Sequence, residues 1–245
     1  VVTVRNFHPE SGELDYLRGR ILEALHRPEE ALDAYLQAAW AQDARSRAMT
    51  RAAMVELRLS RWHDALAHAE EALRQHAHSE TAMLARIVAL RHLGSPQAET
   101  ALAAAEAFDC LNVTLRALKY GAAPALYATL QSDPCQSALD MAQDLTDLGE
   151  TALAAEILGG LPQPCAMTAY VRGFLTGDTA VWMQAGKLPI GIAYPLRPLE
   201  YQALTAAIAA NPQDAAALNL LGCLMYHMEN YERAAALWEQ AVEAD

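Results

Sequence analysis

The sequence predicts an all-α fold, an α-α superhelix of about seven antiparallel helix pairs. The chain of 245 residues has 12 glycines and 11 prolines, which is few for a β-rich protein with its many turns. Its apolar residues recur with the period of amphipathic helices, in segments of about a dozen residues that are separated by short polar turns. These segments also repeat along the chain at a fixed interval.

The repeat is clearest near the N-terminus. Residues 25–32, Leu-His-Arg-Pro-Glu-Glu-Ala-Leu, align with residues 59–66, Leu-Ser-Arg-Trp-His-Asp-Ala-Leu, at an offset of 34. Each unit holds two helical segments, and small residues belong where two helix axes come close, with a larger residue one turn later to fill the groove. Ala31, Tyr35 and Ala38 have this spacing, and Ala31 is therefore expected at a helix contact.

The last unit shows the same arrangement, with Leu221-Gly222 in its first helix and Ala234, Trp238 and Ala241 in its second. This pattern of small and aromatic residues resembles the tetratricopeptide repeat, and residues 11–79 resemble two further copies. The resemblance implies a right-handed solenoid of helix pairs with a concave inner groove. Some other α-α repeat is the structural alternative.

Aromatic residues at the large positions of the repeat are expected to fill the space between helices. Tyr35, Tyr231 and Trp238 occupy such positions and are predicted to be core residues.

The pattern divides the chain into four segments. Residues 1–10 are an N-terminal extension, 11–185 are helical repeats, 186–198 are an irregular crossing loop, and 199–245 are a C-terminal helix followed by one more repeat. The loop contains two Gly and three Pro and has little helical period. The chain shows no signal peptide. Because it does not begin with Met and ends at Asp245, one residue short of a repeat boundary, we expect it to be a piece of a longer protein.

A second resemblance involves residues 194–245. Tyr194-Pro195-Leu196-Arg197, Asn211-Pro212 and Tyr231-Glu232-Arg233-Ala234 look like the repeat region of large bacterial proteins. In those proteins a galactose-mutarotase-like β-sandwich of unknown function precedes tetratricopeptide repeats. The resemblance implies a helical accessory region of a carbohydrate-active protein, with any sugar chemistry in another domain.

Charge and hydropathy exclude two classes of partner. The chain has 18 basic and 30 acidic side chains and a net charge of −12, whereas nucleic-acid binders normally present a basic face. The longest stretch without a charged residue, 157–171, is interrupted by Gly and Pro and is too short to span a bilayer. We therefore expect neither nucleic acid nor membrane as a partner, and a cytoplasmic location.

Four histidines lie close together in the sequence. His63 and His68 are five residues apart on one predicted helix, which puts them about 140° apart, whereas metal-binding pairs favour a spacing of four. His76 and His78 lie near a helix end, where the terminal carbonyls favour a histidine. Solvated or capping roles are expected, with no metal site.

Cys135 and Cys165 each follow a proline at a predicted helix start, where the helix dipole can lower the pKa of a thiol. They occupy equivalent points in consecutive units. We therefore expect them about one repeat apart, beyond the ~7 Å between Cα atoms that a disulfide spans, without a redox role.

The sequence contains no motif that supports catalysis. It lacks a Gly-x-Ser-x-Gly elbow, a phosphate-binding loop and a dinucleotide fingerprint. Paired carboxylates are numerous, but 30 acidic residues on helix faces produce such pairs by chance. No enzymatic activity and no cofactor are expected.

The candidate contacts are side chains on the first helices, on faces that would line the inner groove: Tyr16, Arg20, Arg47, Asn219 and Tyr226. The alternative is that they are ordinary solvated surface. As a contact strip they would bind a peptide segment of another protein, or another domain of the same longer chain.

A chaperone tail is not the expected ligand. Tetratricopeptide domains that bind the C-terminal carboxylate of chaperones use Lys, Asn and Arg at set groove positions. Here Cys223 stands where that clamp has Asn, and the chain has two Lys. A non-catalytic scaffold is the predicted function, and the alternatives are the carbohydrate-linked accessory region and a ligand-sensing helical module.

Overall fold

The computed structural model describes residues 11–130 and 133–244, so the predicted N-terminal extension, residues 1–10, lies outside the described residues. The described residues form fifteen α-helices and no strand. In chain order they are α1 Glu13–Ala24, α2 Pro28–Ala38, α3 Arg45–Arg58, α4 Trp62–Gln75, α5 Glu80–His92, α6 Gln97–Phe108, α7 Val113–Tyr120, α8 Pro124–Tyr127, α9 Pro134–Asp147, α10 Thr151–Gly159, α11 Ala166–Thr176, α12 Thr179–Ala185, α13 Pro198–Ala210, α14 Ala215–His227 and α15 Tyr231–Ala244. The prediction of an all-helical fold of consecutive helix pairs is confirmed.

The helices group into two compact units. Unit 1 holds the described residues up to Leu115 together with Asp147–Gly149, and unit 2 holds residues 116–146 and those from Glu150 onward. In unit 1 each helix from α1 to α5 packs on the next one, and α3 also contacts α5. In unit 2, α11 packs on α10, α12 and α13, and α14 lies between α13 and α15.

One turn recurs within unit 1. His26, Ser60 and Gly94 lie 34 residues apart and have left-handed φ angles of 56°, 59° and 63°. In each turn the following residue donates its backbone N–H to a carbonyl five positions earlier at 2.9 Å: Arg27 to Leu22, Arg61 to Glu56, and Ser95 to Leu90. This bond is the signature of a Schellman motif, which ends a helix and reverses the chain. The repeat is thus present in the backbone as well as in the side chains.

The contact between α1 and α2 depends on a glycine beneath an aromatic ring. Tyr35 is fully buried, and a Cβ at Gly19 would lie 2.5 Å from its ring. Ala31 and Ala38 are also fully buried. The small–large–small pattern therefore marks the helix contact, as the sequence predicts.

The last helix pair shows one difference from the prediction. Ala234 is fully buried and Trp238 is half-buried, but Tyr231 is 56% exposed, so its assignment to the core is wrong. Tyr231 is the first residue of α15, and its ring meets the edge of Tyr226 with 5.2 Å between ring centroids. No helix follows α15 in the described part of the chain to cover this ring.

The segment around residues 186–198 lies between two helices of unit 2. α12 ends at Ala185 and α13 begins at Pro198. Between them the backbone carbonyl of Pro189 accepts a hydrogen bond from Ala166 at 2.9 Å, at the start of α11. This hydrogen bond connects the loop to the first residue of α11.

The two proline–cysteine sequences differ in structure. α9 begins at Pro134, as predicted, but α11 begins at Ala166, with the extended residue Cys165 as its N-cap and Pro164 outside the helix. The Thr168 hydroxyl bonds the Cys165 backbone, accepting from its N–H at 3.1 Å and donating to its carbonyl at 2.8 Å.

Among the described helices, none has both the length and the apolar character needed to cross a membrane.

Candidate functional site

A polar pocket of about 410 Å³ lies in unit 1 between α1, α3 and the start of α5. These are the first helices of three consecutive pairs, so successive repeats contribute to one site. Its lining residues are Tyr16, Arg20, Asp43, Ser46, Arg47, Thr50, Arg51, Met54, His76, Ser79 and Thr81. Three predicted groove contacts, Tyr16, Arg20 and Arg47, therefore come together there.

Arg47 and Tyr16 form a stacked pair at the wall of the pocket. The guanidinium carbon of Arg47 lies 4.6 Å from the centroid of the Tyr16 ring, within the range of a cation–π contact. Arg47 also donates to the carboxylate of Glu13. The Tyr16 ring lies 5.7 Å from that of the buried Tyr35, so the core helps to hold the pair in place.

Arg51 is a pocket residue that the sequence analysis missed. It lies four residues after Arg47 on the same face of α3, and that spacing was the signal that could have identified it. Its guanidinium pairs with the Glu23 carboxylate at 2.7 Å, and the side chain is 19% exposed. Glu23 also accepts hydrogen bonds from Tyr35 and Arg58.

These contacts set the ionisation of Glu23. Burial alone would raise the pKa of this carboxyl, but the charges of Arg51 and Arg58 together with the hydrogen bonds hold it below its usual value. Glu23 is therefore an anion at neutral pH, and it fixes Arg51 at the floor of the pocket.

The pocket has two arginines that are already paired with glutamates, Arg47 with Glu13 and Arg51 with Glu23. Its lining has three arginines and one carboxylate, Asp43. Asp43 accepts the backbone N–H of Gly12 at 3.1 Å, and this bond is the main reason why the pKa of Asp43 is lowered. Arg20 is exposed, so its guanidinium is accessible to a ligand. The arrangement suits carboxylates on an extended peptide, with hydroxyl groups nearby to bond its backbone.

The other two predicted contacts lie in unit 2. Asn219 lines a separate pocket of about 500 Å³ together with Trp238, Ala241 and Val242. Its backbone carbonyl accepts from the indole N–H of Trp238 at 3.3 Å. Tyr226 does not line this pocket and instead stacks at an angle on Trp238, with 5.8 Å between ring centroids.

The four histidines that lie close together in the sequence have different surroundings in the structure. His63 is exposed, His68 bonds the buried carboxylate of Glu56 through Nδ1 at 2.7 Å, and His76 is the C-cap of α4. His78 stacks on Phe108, with 4.7 Å between ring centroids. Nowhere in residues 11–130 and 133–244 do three His, Cys, Asp or Glu side chains converge as metal ligands would.

The prediction that Cys135 and Cys165 lie out of reach of each other is wrong. The Cys135 thiol donates to the carbonyl of Gln163 at 3.4 Å, and the Cys165 thiol is close enough to raise the pKa of Cys135. The prediction treated the two residues as points one repeat apart. In the structure, residues 163–165 precede α11 as non-helical chain and reach the start of α9.

Comparison with known families gives one match. The family model described as tetratricopeptide repeat matches residues 3–46, 50–109 and 202–245, and no catalytic family and no mutarotase-like relative is found. No curated protein matches the chain. Repeats of this family generally mediate protein–protein interactions. Since the matched segments make up more than half of the sequence, the chain belongs to the tetratricopeptide repeat family.

Proposed function

We propose that the chain is a non-catalytic scaffold whose polar pocket in unit 1 binds an acidic peptide segment. The segment belongs to another protein or to another domain of the same longer chain. The main support for the proposal is that Tyr16, Arg20 and Arg47, from α1 and α3, line one pocket.

The chemistry of the lining indicates an acidic ligand. Arg20 is exposed, and Arg47 is held above the Tyr16 ring and pairs with Glu13, with its side chain 42% exposed. Guanidinium groups bind carboxylates through paired N–H donors, and a fixed guanidinium loses less side-chain entropy when it does so.

Fluorescence anisotropy with a labelled ten-residue peptide of Glu, Leu and Gly tests the proposal. The matched probe has Gln in place of each Glu. We expect the Glu peptide to bind at least about tenfold more tightly, which corresponds to ~1.4 kcal/mol. Its binding should also weaken as salt is added, because exposed charges are screened.

Two substitutions on α1 locate the binding. Arg20→Gln removes a pocket guanidinium, and Arg18→Gln removes an exposed arginine that does not line the pocket. We expect Arg20→Gln to weaken binding of the Glu peptide about tenfold and Arg18→Gln to change it less than about twofold. Equal losses in both variants, or equal binding of the Glu and Gln peptides, would contradict the proposal.

We also propose the division of the chain that the sequence predicts. Helical repeats occupy residues 11–185, a crossing loop occupies 186–198, and a helix plus repeat occupies 199–245. The proposal also includes a cytoplasmic location, with neither nucleic acid nor membrane as a partner. Cell fractionation with an antibody against the chain tests the location.

A helical accessory region of a carbohydrate-active protein is the alternative. It is favoured by the resemblance of residues 194–245, with Tyr194-Pro195-Leu196-Arg197 at the start of that segment. The coding sequence that precedes Val1 provides the test. A β-rich domain there favours this alternative, and a start codon directly before Val1 contradicts it.

A further inference from the structure

We propose that Cys135 and Cys165 form a reversible disulfide that links the start of α9 to the start of α11. The oxidant is a small-molecule disulfide. Both cysteines lie in unit 2, and the inference is independent of peptide binding in unit 1.

The geometry brings the two thiols together from different elements. Cys135 is the second residue of α9, and Cys165 is the N-cap of α11. The Cys135 sulfur lies 3.4 Å from the carbonyl of Gln163, two residues before Cys165, and the Cys165 thiol is close enough to raise the pKa of Cys135. The Cys135 side chain therefore lies near two residues of the segment that precedes α11, Gln163 and Cys165.

The surroundings hold Cys165 in place. Its side chain is 5% exposed, and the Thr168 hydroxyl bonds both its backbone N–H and its carbonyl. Cys135 is only half-buried. Cys135 is therefore the thiol that an oxidant in solution reaches, and Cys165 is positioned to react second.

The reaction consists of two thiol–disulfide exchanges. With oxidised glutathione, the Cys135 thiolate attacks one sulfur, its bond to glutathione forms, and one glutathione thiolate leaves. The Cys165 thiolate then attacks the Cys135 sulfur and displaces the second glutathione. The two cysteines are oxidised, glutathione disulfide is reduced, and the two cysteine protons end on two glutathione thiols.

The environment of Cys135 determines how fast the first exchange proceeds. Burial and the neighbouring Cys165 thiol raise the pKa of Cys135 to about 12, so little thiolate exists at neutral pH. Oxidation should therefore be slow near pH 7 and should accelerate about tenfold for each pH unit, because the thiolate fraction grows tenfold below the pKa. The reduced pair withstands brief exposure to oxidant and responds to sustained oxidation.

A disulfide here would close a loop that contains α9 and α10. A crosslink of this kind restricts the unfolded chain, so the oxidised protein should unfold at a higher temperature, by several degrees.

Peptide mapping provides the test. The protein is incubated with oxidised glutathione between about pH 7 and pH 9, remaining thiols are blocked with N-ethylmaleimide, and trypsin is added. Residues 120–172 form one tryptic peptide that contains Cys135 and Cys165 and neither of the other two cysteines. We expect this peptide to lose two hydrogens, to carry no label, and to accept two labels after reduction.

Exposed Cys110 serves as the internal control, because it shows that the oxidant is active. The proposal is overturned if Cys110 is glutathionylated while residues 120–172 carry two labels. It is also overturned if Cys135 keeps a glutathione that Cys165 never displaces. In Cys165→Ser that mixed disulfide should accumulate, whereas Cys110→Ser should leave the disulfide unchanged. The result for the unsubstituted chain is decisive even if a variant fails to fold.

Discussion

The indole ring of Trp238 packs directly on the backbone of Gly222. A methyl group at that glycine would overlap the Nε1, Cδ1 and Cε2 atoms of the ring. Gly19 and Tyr35 have the same relationship in unit 1, and in both pairs the ring follows the glycine by 16 residues. The close approach of the two helices in each pair therefore requires a residue without a side chain.

This contact predicts that Gly222→Ala destabilises the protein by about 2 kcal/mol, because the added methyl group forces the ring or the helix to shift. Urea unfolding followed by circular dichroism measures the change. Gly159→Ala is the matched control, since its Cβ would meet only the flexible guanidinium end of Arg172, at 3.0 Å and beyond. The control should be neutral or slightly stabilising, because alanine favours helix. Equal losses at both glycines would contradict the packing argument.

A charge at the α1–α2 contact should be strongly destabilising. Ala31 is fully buried, so Ala31→Asp places a carboxylate without a partner in the core and should cost about 3 kcal/mol or more. Glu29→Asp introduces the same side chain two residues away, at an exposed position that pairs with Arg61. That control should lie within ~0.5 kcal/mol of the unsubstituted protein. A comparable loss in the control would mean that the helix register is incorrect.

The His68–Glu56 pair predicts a pH dependence of stability. The hydrogen bond to Glu56 is the main cause of the raised pKa of His68. Because the folded pKa lies above the unfolded value of about 6.5, the stabilisation is complete below that pH and is lost as the pH rises through the folded pKa. Urea unfolding at a series of pH values should show this decline.

Substitution of the histidine tests the assignment. In His68→Gln the decline should be absent, because glutamine does not titrate, whereas His63→Gln at an exposed position should retain it. The same pH profile in His68→Gln and in the unsubstituted protein would rule out this pair as the cause.

The recurring turn predicts opposite effects at two equivalent positions. Gly94 has a φ of 63° and would have no atom within 4 Å of an added Cβ, so Gly94→Ala tests backbone strain alone. We expect a loss of about 1 kcal/mol, and a gain of about 0.5–1 kcal/mol for Ser60→Gly, whose φ is 59°. Thermal unfolding of both variants measures the changes. Changes of the same sign in both would contradict a shared conformation.

The features that could be predicted from the sequence depend on the helix period and on the repeat. Ala31, Tyr35 and Ala38 are buried because their spacing puts them on one face of α2, and this spacing is independent of the rest of the fold. Tyr16, Arg20 and Arg47 share a pocket because α1 and α3 are equivalent helices in consecutive pairs.

The features that could not be predicted depend on irregular segments and on neighbouring elements. The Cys135–Cys165 contact follows from the path of residues 163–165, which no periodicity determines. Tyr231 is exposed although it occupies a large position of the repeat. The repeat position does not specify which helices lie next to α15, and in the described part of the chain no helix follows α15 to cover the ring. Asn219 and Tyr226 both lie on α14, but only Asn219 lines the adjacent pocket.

The left-handed turn also determines which lengths of chain can be deleted or duplicated in unit 1. His26, Ser60 and Gly94 adopt the same backbone conformation with three different side chains, so the turn accepts residues of unlike chemistry. Removal or duplication of a block of 34 residues in unit 1 joins positions whose backbone directions already agree. A block that is one residue shorter or longer, when its end falls within a helix, rotates the following side chains of that helix by about 100° and turns core residues toward water. Whole repeats, rather than single residues, are therefore the units in which this part of the protein can change its length.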